Sequence, residues 1–322
     1  METIIGSDIS YATAILRKGR LVAIPTETVY GLAGNALDEN AVMQIFNTKN
    51  RPEFDPLIVH VSGIAEVEKY VEEIPAAARL LMEKFWPGPL TILLKKKSII
   101  PDLVTSGLDT VAVRMPDHPL TLELLKALDF PLAAPSANPF GYISPTTAQH
   151  VADQLGGKLE YILDGGPCDV GIESTIVGFE NEKLVVYRLG GTTVNEISAV
   201  VGEVLVAPNS TSNPKAPGML KSHYAPSKPL YFGNLKELMK EHAKSNFAIL
   251  CFTGKEINAA IKSNVIIRLS PEGKMEEAAR NLFSALRQLD RMQVDCILAE
   301  QFPDVELGKA INDRLKRASV QD

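Results

Sequence analysis

Short apolar runs alternate with amphipathic segments through the first two thirds of the chain. The apolar runs favour buried strands, and they occupy residues 21–24, 57–61, 90–94, 111–113, 132–134, 161–163, 174–177 and 184–187. Apolar residues recur with a helical period near residues 8–18, 39–48, 64–84, 118–128 and 146–155. Because strands and helices alternate, residues 1–205 are predicted to form one α/β domain.

A proline-rich segment follows this domain. Residues 206–229 contain five prolines and show neither helical nor strand periodicity, so they are predicted to form a linker. It also contains apolar and aromatic residues that a passive tether does not need, namely Met219, Leu220, His223 and Tyr224. We therefore expect the linker to pack against a protein surface.

Strand and helix patterns resume after the linker. Strands are predicted at residues 229–232, 247–251 and 296–299, and helices near residues 234–243, 274–291 and 307–317. Residues 230–322 are therefore predicted to form a small α/β domain with Rossmann-like topology.

The first predicted strand ends in a polar turn. Pro25 lacks a backbone donor, so the strand at 21–24 is not expected to continue beyond it. One interpretation is that a helix starts here, with Thr28 or Asn35 as its cap and the nearby glycines in a turn. The other is that Thr26 and its neighbours serve a ligand.

Polar side chains stand at the ends of six predicted strands: Thr26, His60, Arg114, Ser136, Ser174 and Arg188. Ligands of open α/β sheets bind beyond the strand ends, where loops converge. A single strand-end arginine is usually solvated, but six such groups together favour one cleft.

Two loops carry groups that suit phosphate or sugar oxygens. Lys49 and Arg51 lie in the proline-flanked loop 48–56, where two cations can bind an anion, although a solvated loop also accounts for their spacing. Loop 134–147 offers the hydroxyl and amide groups of Ser136, Asn138 and Ser144. The phosphate-binding patterns GxxxxGK[ST] and GxGxxG are absent from the sequence, so a bound nucleotide requires a different cradle.

Composition and charge narrow the class of protein. The 322 residues are 45% hydrophobic and 22% charged, as in ordinary globular proteins. Residues 1–205 hold 16 basic and 26 acidic side chains, whereas residues 206–322 hold 17 and 13. The acidic N-terminal part disfavours nonspecific binding of nucleic acid there.

Cysteine and histidine positions predict neither a disulfide framework nor a metal site, because the three cysteines and five histidines are scattered. The chain has no apolar run of about 20 residues, the length of a membrane span, and no secretory pattern at its start. A cytoplasmic protein is expected.

The motifs together resemble one protein family. The N-terminal part of the chain resembles the YrdC-like domain family. The segments that carry this resemblance are PTETVYGL, KNRP followed by PLIVHV, WPGPLT, DTVAVRMP, APSAN, SPT, GIESTIV and YRLGG. The longer, two-domain threonylcarbamoyl-AMP synthases have a linker and a small C-terminal domain similar to APGMLKSHYAP and the residues that follow it. The matching motifs occur in order along essentially the whole chain.

This resemblance implies a fold and a reaction. The fold is a twisted, open α/β sheet with a concave, locally positive cavity, over which the linker places the extra domain. The reaction joins L-threonine, bicarbonate and ATP to give threonylcarbamoyl-adenylate and pyrophosphate, with Mg²⁺ bound through the ATP phosphates. A separate tRNA threonylcarbamoyl transferase complex then modifies adenosine 37 of tRNAs that read ANN codons, and direct tRNA binding by this chain stays open.

The resemblance also implies roles for single residues. Lys49 and Arg51 are the implied catalytic residues, which hold the triphosphate. Further nucleotide contacts are implied for Thr110, Ser136, Asn138, Ser144, Arg188 and Tyr224. Threonine and its carboxylated form are expected to contact Thr26, His60, Arg114, Ala134 and Ser174.

Three of these roles are more specific. Arg114 is expected to pair with the threonine carboxylate. Pro25 is expected to release Thr26 from the sheet so that its hydroxyl faces the substrate. His60 is the one candidate for a general base of near-neutral pKa, although a binding role fits it equally.

Two other functions stay open at this point. A polar cavity with Lys and Arg also suits a module that binds RNA or nucleotide without chemistry, which the acidic N-terminal part disfavours. A related carbamoyl transferase acts within a larger hydrogenase-maturation protein, but the acylphosphatase and zinc-finger segments of that protein are absent from this sequence.

Overall fold

The computed structural model describes residues 2–207, 216–217, 223–255, 257 and 265–320. The strands of residues 2–207 are β1 (Ile4–Gly6), β2 (Val22–Ile24), β3 (Gly31–Asn35), β4 (Ile58–His60), β5 (Leu90–Lys95), β6 (Thr110–Arg114), β7 (Leu132–Ala133), β8 (Tyr161–Leu163), β9 (Thr175–Glu180), β10 (Lys183–Arg188) and β11 (Leu205–Val206). They form one mixed sheet in the order β1-β8-β2-β3-β7-β4-β6-β5-β9-β10-β11. The predicted α/β class is confirmed.

Helices cover both faces of this sheet: α1 (Ile9–Arg17), α2 (Glu39–Lys49), α3 (Ile64–Val67), α4 (Ala76–Phe85), α5 (Asp102–Thr105), α6 (Pro119–Ala127), α7 (Ala148–Leu155) and α8 (Val194–Val201). Side chains alternate along a strand, so neighbours in β2 enter different cores. Val22 packs with Ile15 of α1 and Leu124 of α6. Ala23 belongs to the larger core, which also contains Leu81 of α4.

The sheet register brings several predicted site residues together. In the parallel pair β4 and β6, His60 lies opposite Arg114. In the antiparallel pair β9 and β10, Arg188 lies opposite Ile176, close to Ser174 at the start of β9. Strand ends that are distant in sequence therefore meet at one edge.

Strand β3 replaces the helix start considered for this region. Residues 31–35 pair antiparallel with β2, and α2 begins only at Glu39, capped by the Asp38 side chain. A Cβ on Gly34 would lie 2.9 Å from Leu21 Cδ2, so a larger residue here would require the Leu21 side chain to shift. Glycine has a low strand propensity, which is why the pattern missed β3.

The helix predicted at 64–84 is two helices, α3 and α4. Pro75 stands directly before α4 and has no N–H to continue a preceding helix. Between the two helices, Val71 forms a β-bridge with Lys96. Strands β1 and β11 and helix α8 were not predicted.

The C-terminal unit is a smaller parallel α/β layer. It contains β12 (Leu230–Gly233), α9 (Leu235–Glu241), β13 (Phe247–Cys251), β14 (Ile266–Arg268), α10 (Met275–Asp290), β15 (Cys296–Glu300) and α11 (Leu307–Ala318). Its strands, within the described part of residues 223–320, are all parallel and lie in the order β12-β15-β13-β14. The prediction of a small α/β domain is confirmed, although β14 was not predicted.

The C-terminal unit packs against the loops of the large sheet. Arg287 of α10 donates to the carbonyl oxygens of Ile143 and Ser144. Linker residues take part, since the Ala225 N–H donates to the Gly141 carbonyl at 2.9 Å. The described linker residues thus pack on a surface as predicted, whereas Met219 and Leu220 lie outside the described residues. None of the described helices is both long and apolar enough to cross a membrane.

Candidate active site

A cavity lies at the strand ends and is lined by residues of the large sheet and of the linker. Many of its lining residues were predicted from the sequence: Thr26, Arg51, His60, Arg114, Ala134, Ser136, Ser174, Arg188 and Tyr224. The predicted single cleft is therefore present.

Lys49 lies directly behind the cavity wall. It ends α2, and its Nζ donates to the Ser136 and Asn138 carbonyl oxygens, each at 2.5 Å. The left-handed Asn50 (φ 52°) then turns the chain so that Arg51 follows on the cavity side. Burial, together with the neighbouring Arg51 charge, holds the pKa of Lys49 well below its usual value. A phosphate nearby would favour the charged ammonium.

Arg51 is fixed by its own loop. Its Nε donates to the Asp55 carbonyl at 3.0 Å, and its Nη2 donates to the Pro56 carbonyl at 2.9 Å. The Asp55 carboxylate forms an ion pair with the same guanidinium at 2.9 Å. Both cations of loop 48–56 are buried, so the alternative of a solvated loop is wrong.

Arg114 faces a carboxylate of its own chain. Its Nη2 lies 2.6 Å from Glu27 Oε1, and its Nε donates to the Gly88 carbonyl at 3.2 Å. Both side chains of this ion pair are buried. The arginine is thus held at the end of β6 by a charge that an incoming carboxylate can replace.

Thr26 lines the cavity, but its hydroxyl is engaged locally. The Oγ1 donates to the Val29 carbonyl at 2.6 Å and accepts from the Val29 N–H at 3.2 Å. The Thr28 hydroxyl lies 2.8 Å away. This hydroxyl closes the turn that follows Pro25, and its contact with substrate stays a prediction.

Ser174 and Arg188 form one hydrogen-bonded group at the opposite wall. The Arg188 guanidinium donates to the Ser174 carbonyl at 2.8 Å and to the Ser174 hydroxyl at 3.0 Å. Its Nη1 donates to the carbonyl of linker residue Pro217 at 3.3 Å. Burial lowers the pKa of Arg188 to about 10, so the guanidinium stays charged at neutral pH.

Besides Lys49, three predicted nucleotide contacts do not line the cavity. Asn138 and Ser144 lie behind the wall, where Ser144 Oγ donates to Glu173 Oε1 at 2.7 Å. Thr110 begins β6 whereas Arg114 ends it, a separation of roughly 13 Å along the strand. Thr110 lines a different cavity with Leu94 and Phe179, so the structure does not support its predicted role.

Sequence reasoning missed Glu27, Glu173 and His223. Glu173 and His223 line the cavity, and Glu27 pairs with Arg114. All three lie inside motifs that had been singled out, next to residues that were chosen. Their role as counter-charges and ring contacts depends on distant partners that a linear pattern does not show.

The carboxylates around the cavity face arginines. Glu27 pairs with Arg114, and Glu173 pairs with Arg314 at 3.1 Å. Across the described residues, no group of three or more His, Cys, Asp or Glu side chains is arranged to hold a metal ion. The donor set suits an anionic ligand.

His60 is a neutral imidazole. Burial, with a further contribution from the Arg114 charge, lowers its pKa to about 3. Its Nδ1 lies 3.2 Å from the Ile58 carbonyl. This lowered pKa favours a binding role for His60, which lines the cavity, over the role of a base with near-neutral pKa.

This pKa predicts an acid-dependent loss of stability. The unfolded chain takes up a proton on His60 near pH 6.5, whereas the folded chain does not, so stability falls as pH decreases below that value. At pH 4.5 the difference amounts to about 2 to 3 kcal/mol. Urea unfolding of wild type and His60→Gln at pH 7.5 and 4.5 measures it. Equal pH dependence in the two proteins would show that His60 titrates normally.

Fold and site together define an α/β protein with a cation-rich ligand cavity, and comparisons with known proteins agree. A family model described as "Telomere recombination", covering Sua5, YciO and YrdC proteins, matches residues 14–190. A second, described as "Threonylcarbamoyl-AMP synthase, C-terminal domain", matches residues 192–320. The chain therefore belongs to the Sua5, YciO and YrdC family, in the form with a C-terminal extension.

Individual relatives match over nearly the whole chain. The threonylcarbamoyl-AMP synthase of Pyrococcus abyssi is 43% identical, over 97% of this chain and 94% of that protein. The threonylcarbamoyl-AMP synthase of Bacillus subtilis is 40% identical, over 97% of this chain and 92% of that protein. The crystal structure of P. abyssi Sua5 complexed with L-threonine has a TM-score of 0.92 at 40% identity, covering 99% of this chain and 98% of that chain.

Proposed function

We propose that this chain is a threonylcarbamoyl-AMP synthase, which condenses L-threonine, bicarbonate and ATP into threonylcarbamoyl-adenylate and pyrophosphate. One observation carries the proposal: Arg51, Arg114 and Arg188, from three separate elements, line one cavity. The relatives that match over the whole chain bear the same name. As a reaction class, this is a nucleotidyl transfer.

The cations near α2 and β10 bind the ATP phosphates in this proposal. Arg51 and Arg188 reach the cavity, and Lys49 stands behind the Ser136 wall. Fixed cations in a dry site stabilise the charge that develops on oxygens as pyrophosphate leaves. Mg²⁺ would be held by the ATP phosphates, because the carboxylates Glu27 and Glu173 are paired with arginines.

The threonine half uses the ends of β4 and β6. The Arg114 guanidinium binds the threonine carboxylate by exchanging it for Glu27. His60 is neutral and lies beside Arg114, so it adds no charge that competes with this pairing.

The proposed reaction has two chemical steps. The amine nitrogen of threonine attacks the carbon of bicarbonate, water is lost, and a carbamate forms. A carbamate oxygen attacks the α-phosphorus of ATP, the bond to the β-phosphate oxygen breaks, and pyrophosphate leaves. The protein contributes mainly positioning and charge stabilisation to both steps.

A single incubation tests the function. The purified chain is mixed with ATP, L-threonine, Mg²⁺ and ¹⁴C-bicarbonate, and labelled adenylate and pyrophosphate are measured. We expect both products in equal amounts, and only when threonine is present. Nucleotide binding without labelled product would indicate a binding module, and product from carbamoyl-phosphate instead of bicarbonate would indicate a carbamoyl transferase.

The product must pass to a further enzyme. An acyl adenylate is an activated mixed anhydride, so its consumer is an enzyme that acylates a nucleophile. We propose a tRNA threonylcarbamoyl transferase complex acting at adenosine 37 in the cytoplasm. Adding such a complex and ANN-reading tRNA to the incubation should move the label into tRNA, and label that stays in the adenylate would contradict this step.

A further inference from the structure

A buried arginine of the C-terminal unit reaches the wall of the cavity. Arg314 of α11 is fully buried, and its Nε lies 3.1 Å from Glu173 Oε2. Its Nη1 donates to Asp313 Oδ2 at 2.9 Å. Arg314 and Glu173 are 141 residues apart in the chain, so this pair joins the two units.

Glu173 transmits this contact to the site. It lines the cavity beside Ser174, and its second oxygen, Oε1, accepts the Ser144 hydroxyl at 2.7 Å. Burial opposes its ionisation, but the charges of Arg314 and Arg188 nevertheless hold the pKa of Glu173 below its usual value. One buried carboxylate thus connects Arg314 to two loops of the large sheet.

The same guanidinium also faces linker residue Tyr224. Arg314 Cζ lies 5.5 Å from the centre of the tyrosine ring, and Arg317 Cζ lies 5.0 Å from it. The Phe283 ring stacks on Tyr224 at 5.5 Å. Tyr224 has a φ of +67°, a conformation that a bulky residue keeps only when its surroundings enforce it.

The hydrogen bonding of Arg314 differs from that of a simple docking contact. Arg314 Nη2 is a buried donor without a hydrogen-bond partner among the described residues. Arg287, which also joins the units, donates instead to two backbone carbonyls and to Gln154. Arg314 therefore contacts a side chain of the cavity wall, whereas Arg287 contacts loop backbone and Gln154.

We propose that Arg314 is a positioning residue for adenylate formation. Its guanidinium holds Glu173 on one side of the cavity and the Tyr224 ring on another, so the cavity walls are complete only when the C-terminal unit is docked. This inference rests on the proposed function, since it concerns the same site. Arg314 itself does not line the cavity and acts through these two residues.

Two variants test whether Arg314 positions the cavity walls or serves only as the ion-pair partner of Glu173. Arg314→Met removes the guanidinium but leaves Glu173 buried without it, which endangers folding. The double variant Arg314→Met/Glu173→Gln removes both charges. The matched control is Arg291→Met/Asp153→Asn, which removes an exposed ion pair between α10 and α7. Melting temperature, kcat and KM for ATP and threonine are measured for each protein.

We expect the Arg314→Met/Glu173→Gln variant to regain most of the melting temperature lost in Arg314→Met, with a remaining deficit because Asp313 loses its contact with Arg314 Nη1, but not to regain activity. Misplaced walls should lower kcat/KM for adenylate formation about 100-fold. Most of this loss should be in kcat, and the control variant should keep the wild-type value. Recovery of activity together with stability would overturn the inference, because Arg314 would then be a structural partner of Glu173 only.

Calorimetric titration with ATP alone distinguishes this failure from failure of the proposed function. If wild type makes no adenylate, the proposed function fails whatever the variants do. In that case, tenfold or tighter binding of ATP by wild type than by the double variant still supports a role of Arg314 in placing the cavity walls, and equal affinities contradict that role.

Discussion

Lys49→Ala is expected to abolish adenylate formation in a chain that remains folded. The variant removes a buried ammonium that is held by the Ser136 and Asn138 carbonyls beside Arg51. An electrostatic group of this kind contributes about 10²- to 10³-fold to kcat. We expect a loss at the upper end of this range, because water does not reach the buried site to stabilise the charge that Lys49 would otherwise stabilise. Pyrophosphate release at saturating ATP and threonine measures the loss.

Two further variants make this result interpretable. Lys49→Met keeps most of the side-chain volume and should be equally inactive, which separates lost charge from a lost packing contact. Lys158→Ala removes a lysine from an exposed position and should leave turnover unchanged. Near-normal turnover of folded Lys49→Ala or Lys49→Met would refute the role of this lysine. Arg51→Ala should also be inactive, with lower stability because Arg51 pairs with buried Asp55.

Arg114→Gln is expected to abolish threonine binding while ATP still binds. The guanidinium is the positive group that the structure places with His60 at the ends of β4 and β6. Loss of a buried, charge-assisted pair with the threonine carboxylate costs about 2 to 5 kcal/mol, which corresponds to an affinity loss of roughly 30- to 5000-fold. Titration calorimetry with each substrate alone measures the two affinities.

The Arg114→Gln variant needs a control that separates lost threonine binding from lost stability. Glu27 is the ion-pair partner of Arg114 and is buried, so Arg114→Gln is expected to lower the melting temperature. The double variant Arg114→Gln/Glu27→Gln removes both charges and should regain stability without regaining threonine affinity. Threonine binding of wild-type strength in the double variant would place the carboxylate elsewhere.

The regular parts of the fold follow from local pattern. The runs at 57–61 and 111–113 are apolar and β-branched, and they became the adjacent strands β4 and β6. Strand β3 escaped prediction because Gly31 and Gly34 serve close packing against Ala134 and Leu21, a tertiary requirement that local propensity does not record.

The site was partly predictable for a related reason. The sequence grouped Arg114, Ser174 and Arg188 as strand-end residues, and the sheet brings them together because Arg114 and Arg188 end β6 and β10 whereas Ser174 precedes β9, which runs antiparallel to β10. Thr110 does not join this group of residues, because it stands at the other end of β6. The pair of Arg314 and Glu173 joins residues of two separate units, which no spacing rule reports.

A crystal structure with L-threonine and a non-hydrolysable ATP analogue tests the central claim most directly. The account predicts both ligands in the one cavity, with the triphosphate next to Arg51 and Arg188 and the threonine carboxylate on Arg114 in place of Glu27. Ligands bound on separate surfaces, or a triphosphate that touches neither Arg51 nor Arg188, would contradict it.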